Sequence, residues 1–80
     1  MSRSEKVLKK FLTTPTSFSY PDIALVLVHL GFEKISAKGS HVKWKHEMLK
    51  TDLIIPVHNH ECKPFYKELA RTRIQTLIDK

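Results

Sequence analysis

Cys62 is the only cysteine of the chain, so no internal disulfide can form, a composition that fits a reducing compartment. Ligand pairs at zinc-finger spacing are missing as well. His58, His60 and Cys62 stand two apart, but one such triplet without a second ligand pair is a weak metal signal. No metal and no cofactor is called for, and a small zinc-binding protein is the least favoured alternative. Long apolar runs are also absent. The longest, Ile23 to Val28, falls far short of the roughly 20 residues that span a bilayer. No apolar segment follows a basic start, so no secretory leader is expected. These absences predict a soluble, cytoplasmic protein with no membrane partner. Acidic residues are scarce: 8 Asp and Glu face 14 Lys and Arg, for a net charge of +6. Such a balance predicts a polyanionic partner: nucleic acid, an anionic membrane surface or an acidic protein. At 80 residues the chain makes one domain, 1–80, with a modest core. A site on it should therefore lie on the surface.

What remains is patterned. Ser2 and Glu5 have capping-box spacing, and Val7, Leu8, Phe11 and Leu12 form the stripe of a first helix that Pro15 stops. A second helix is expected from Ser19 to about Leu30, with Asp22 as the reciprocal cap, Pro21 in its first turn and Gly31 as its terminator. Residues Ile23 to Val28 leave it almost no polar face, which predicts burial on more than one side, between the sheet and the first helix or partly under a partner. Three strands should follow, at about Phe32–Ala37, His41–His46 and Thr51–Val57. In the second, Val42, Trp44 and His46 alternate with His41, Lys43 and Lys45. The apolar pair marks the core side, so His41 shares the outer face with two lysines, while His46 and Trp44 take structural roles. In the third strand Pro56 signals an edge or the end of pairing. A last helix is predicted over about Pro64–Ile78, with its stripe on Tyr66, Leu69, Ala70, Ile74, Leu77 and Ile78. Lys67, Arg71 and Arg73 lie off the stripe and, with Lys34, are secondary candidates for contact with RNA. The order α-α-β-β-β-α predicts an α+β fold like that of double-stranded-RNA-binding domains, a three-stranded antiparallel sheet with helices on one face. Its first helix is an N-terminal extension.

Four short stretches narrow the function. Ser17-Phe18-Ser19-Tyr20-Pro21-Asp22 opens the apolar helix, which ends Leu30-Gly31-Phe32-Glu33. Lys38-Gly39-Ser40-His41 follows, and the third strand ends Ile54-Ile55-Pro56-Val57-His58. In this order and spacing the chain, from about Ser17 to Ile78, resembles the HicA (YcfA-like) toxin family. The resemblance implies an endoribonuclease that cuts mRNA, is held inactive by a HicB-type antitoxin, and depends on the histidine at position 41. The chemistry suits the residues. RNA carries its own nucleophile, the 2′-hydroxyl, so the enzyme needs a base such as His41 to remove that proton. Lys38, Lys43 and Lys45 can bind the phosphate; Gly39 lets backbone approach it, and Ser40 can donate to it. The leaving-group acid is not evident. His58 qualifies only if the end of the third strand lies near His41. The alternative from another class is a non-catalytic RNA-binding module of the same fold.

Overall fold

The computed structural model describes residues 3–79. Three helices and three strands follow the expected order: α1 (Arg3–Thr13), α2 (Tyr20–His29), β1 (Glu33–Lys38), β2 (His41–Lys45), β3 (Leu53–Pro56) and α3 (Pro64–Ile78). One 3-10 turn, Pro15–Ser17, joins α1 to α2. The capping box expected at Ser2 lies outside the described residues. The strands form one antiparallel sheet in the order β1-β2-β3, and the helices cover one of its faces.

The alternation in β2 decides which face is covered. Val42, Trp44 and His46 are buried, His41 and Lys45 are exposed, and Lys43 is half-buried. From β3, Leu53 and Ile55 join the buried side, and Val57 packs against the core. Ile23 and Leu27 of α2 and Ala70 and Ile74 of α3 close over them. Phe11 of α1 is fully buried, with its ring edge-on to Phe18 at 5.2 Å. The Trp44 indole N–H donates to the Tyr20 hydroxyl at 3.3 Å, so the largest core side chain keeps its polar atom partnered.

Gly31 ends α2 as expected. At φ +93° it lets Phe32 N–H reach back to the Leu27 carbonyl (2.9 Å) and its own N–H to Val28 (3.1 Å), a Schellman arrangement. His46 seals the same corner. Its Nδ1 accepts from Met48 N–H at 3.0 Å, so Nε2 carries the hydrogen and donates to the Leu30 carbonyl at 3.0 Å. The ring also stands edge-on to Phe32, with centroids 4.9 Å apart.

Three expectations need correction, and the first strand holds a feature that the sequence did not signal. Ser19 occupies the N-cap position of α2, but neither its hydroxyl nor Asp22 closes a capping box; the Glu61 carboxylate accepts from Tyr20 N–H instead, at 2.8 Å. The second helix is not buried on more than one side: Leu25 and Val28 are 69% and 59% exposed. α1 packs beside α2 rather than over its outer face. Lys67 does not project as a solvated charge from α3. It is 7% exposed, with Nζ 3.2 Å from Glu61 Oε1, because the β3–α3 loop folds over that part of the helix. The first strand is not regular either. The register steps from Lys34↔Trp44 to Ser36↔Lys43, so Ile35 is an unpaired extra residue, a bulge that leaves this apolar side chain 46% exposed.

Gly31→Ala should destabilise the domain. The new methyl would force a left-handed φ on alanine, at a cost of about 1–2 kcal/mol, and would stand 3.4 Å from His46 Nε2. Urea unfolding with an unchanged m-value and a lower midpoint is the expected outcome.

Candidate functional site

The site residues gather at one end of the open sheet face. Lys38 and His41 are cross-strand partners, and Gly39 and Ser40 form the two-residue turn between them. Gly39 stands at φ +65°, the left-handed conformation that a tight hairpin asks of it, and a Cβ built there would meet nothing within 4 Å. Above the turn the backbone is thus open to a ligand. His41 begins β2, exposed, with Pro56 of β3 opposite. Lys43 and Lys45 follow on the same face at steps of about 7 Å along the strand. Each has an acidic neighbour. Lys43 Nζ lies 3.8 Å from Asp52 Oδ2, a loose pair between half-exposed groups, and Lys45 stands opposite Glu33. Such surface pairing contributes little and yields readily to a stronger anion.

The condition set for His58 is met. Pairing runs to His41↔Pro56, and Val57 N–H then donates to the Ser40 carbonyl at 2.6 Å. The end of β3 is therefore fastened to the turn that carries Gly39 and Ser40. His58, exposed, opens a tight reversal in which its N–H donates to the Glu61 carbonyl (2.8 Å) and Glu61 N–H donates back (2.9 Å). Asn59 and His60 make the bend at φ +52° and +64°, a conformation uncommon for residues other than glycine.

Glu61 anchors this loop, a role with no local sequence signal. Its Oε1 accepts from Tyr20 N–H and, at 2.9 Å, from Cys62 N–H, and pairs with Lys67. The bond from Cys62 N–H, helped by Lys67 and Tyr20 N–H, holds the carboxyl below the usual carboxylate range. One carboxylate thus joins the start of α2, the loop after β3 and the first turn of α3. Cys62 itself is buried, and loss of hydration, with the nearby Glu61 charge, pushes its thiol up. A raised, inward thiol is ill suited to serve as nucleophile or thiolate ligand. Among the described residues no group of three or more His, Cys, Asp or Glu side chains is placed to hold a metal ion. Of the secondary candidates, Lys34 is exposed on β1, while Arg71 pairs with Glu68 (3.3 Å) and Arg73 donates to the Thr51 carbonyl and hydroxyl. Arg71, Arg73 and Lys67 are thus engaged within the protein.

The chain is a small basic α+β domain with a histidine and lysines on an open sheet face beside a Gly-Ser turn. Residues 20–67 match the family described as HicA toxin of bacterial toxin-antitoxin, and the chain belongs to that family. The matched span holds α2, the sheet, the turn, the loop and the start of α3, and leaves α1 outside. No curated protein and no solved structure matches the chain. Membership makes the chain a toxin whose counterpart is an antitoxin. Among the described residues no helix is long and apolar enough to cross a membrane.

Glu61→Gln should lower the melting temperature at neutral pH, since it leaves Lys67 buried beside an uncharged group. A carboxyl held low in the folded state stabilises fully above the ordinary carboxylate value of about 4.3. That contribution fades as pH falls through the folded value. The gap between parent and variant, followed by thermal melts from pH 7 to pH 3, should therefore close on the acid side.

Proposed function

We propose that the chain is a metal-independent endoribonuclease that cleaves mRNA, with His41 as general base, and that a HicB-type antitoxin silences it by covering the open sheet face. One observation carries this: His41 stands exposed beside an unobstructed Gly-Ser turn, on the face that also carries Lys38, Lys43 and Lys45. A phosphate over the turn would meet the Gly39 backbone, the Ser40 hydroxyl and the ammonium groups. His41 would then lie beside the ribose whose 2′-hydroxyl attacks. The net charge of +6 draws RNA to the protein and equally suits an acidic antitoxin surface. The same face serves both partners, so inhibition is exclusion of RNA.

His41→Ala removes an exposed side chain at the start of a strand, so stability should change by only about 0.5 kcal/mol. RNA cleavage should fall by a hundredfold or more, since that is the order of a positioned base's contribution. Thermal melts and cleavage assays on the two proteins, with chelator present, test this. A variant that cuts at the parental rate, or loses activity only by unfolding, would exclude the role. Intact RNA shifted by the parent protein would instead support a binding module.

Replacing Lys43 and Lys45 together by Ala should weaken RNA binding at every sequence. Two lost phosphate contacts to a single strand should flatten the plot of log K against log salt by about 1.4. An unchanged slope in titrations at several salt concentrations would remove this face from the RNA path.

A further inference from the structure

We propose that His58 is the general acid of the reaction, the partner that protonates the departing 5′-oxygen while His41 takes the 2′-proton; this rests on the ribonuclease reading above. The ladder between β2 and β3 pairs Trp44 with Leu53, Val42 with Ile55 and His41 with Pro56. The bond from Val57 N–H to the Ser40 carbonyl carries the same register one step further. His58 follows next, where strand pairing has given way to the reversal bridged to Glu61. Val57 packs against the core, so alternation turns His58, which is exposed, to the open side that His41 occupies. His58 stands two residues past Pro56, the cross-strand partner of His41; in a continued antiparallel pair that diagonal offset spans about 7–8 Å.

The turn that Val57 is bonded to holds a residue without a side chain. Gly39 leaves open space there, and Lys38 borders it from the other strand. A phosphodiester seated over Gly39 would have one imidazole on either flank. Each ring needs to come within about 3 Å of a different oxygen of that phosphate, and diagonal spacing leaves room for the group between them. The tight reversal at Asn59 and His60 and the Glu61 anchor then gain a purpose. They hold His58 at the sheet end, where a longer loop would let it wander.

The step balances with these groups alone. His41 accepts the 2′-hydroxyl proton as the 2′-oxygen forms its bond to phosphorus. The bond from phosphorus to the 5′-oxygen breaks, and His58, entering as imidazolium, gives that oxygen its proton. The products are a 2′,3′-cyclic phosphate and a 5′-hydroxyl end, with one proton moved from His58 to His41 through the substrate.

The test uses two substrates, an ordinary oligoribonucleotide and the same strand with sulfur in place of the bridging 5′-oxygen. Sulfur departs as thiolate without being protonated. His58→Ala should cut the ordinary strand about a hundredfold more slowly than the parent, yet cut the sulfur strand within a few fold of it. His41→Ala should be slow on both, because the 2′-proton must still be removed. His58→Asn, assayed alongside with its melt, keeps the main-chain bonds of the turn and should behave as His58→Ala does. A His58 variant that matches the parent on ordinary RNA overturns the assignment. So does a folded variant equally slow on both strands, which would make His58 a binding or positioning residue. A parent that cleaves neither strand overturns the ribonuclease reading itself, and the assignment falls with it.

Discussion

Strand β2 sits in the middle of the sheet, and nearly everything functional hangs on its register. Its buried side is fixed by Trp44, whose ring fills the space between sheet and helices and whose N–H is tied to Tyr20 on α2. A one-residue slip would exchange the two faces, putting His41, Lys43 and Lys45 into the core and Trp44 into water. Burying unpaired lysines and exposing that aromatic surface would cost far more than the few kcal/mol a small domain has to spare. The same anchor that stabilises the fold therefore also holds His41 on the open side. The flanking strands inherit the choice: β1 through the two-residue turn at Gly39 and Ser40, and β3 through its pairing with β2 up to Pro56.

A second constraint acts at a distance. The Glu61 carboxylate satisfies two backbone N–H groups and a buried ammonium at the point where α2, the β3–α3 loop and α3 meet. A helix start carries orphan N–H groups and the positive end of the helix dipole, so a carboxylate is well placed there. Ser19 could have supplied a local cap, but a remote carboxylate does something a local one cannot. It ties the loop that carries His58 to the body of the domain.

Much of this was legible in the sequence because its causes are local. The bounds of α3, the Schellman end of α2 and the two faces of β2 each follow from residues within a few positions of one another. The placement of His41 beside Lys43 and Lys45 is a matter of strand phase alone. The features that escaped depend on residues far apart in the chain. Glu61 and Tyr20 are 41 positions apart, and no spacing rule connects them. Lys67 looks like a surface charge until the loop that buries it is in place. The bulge at Ile35 has no glycine to mark it. The apolar run in α2 promised deeper burial than it received, because periodicity counts apolar residues but not the elements available to cover them. α1 packs against that helix, yet Leu25 and Val28 stay exposed among the described residues.

The site's position on an exposed sheet face also bears on how such a protein can be controlled. His41, Lys38 and Lys45 lie outside the core, so these side chains can change with little effect on folding. That independence has a consequence for regulation. His41 lies exposed at the end of a small sheet. On the reading proposed above, control of this face comes from another molecule that competes for it. The surface that suits RNA, positively charged and open at its backbone, also suits an acidic protein, and the two cannot occupy it together. A toxin paired with an antitoxin needs this property. On that reading the free chain is competent as folded, and occupation of one face silences it.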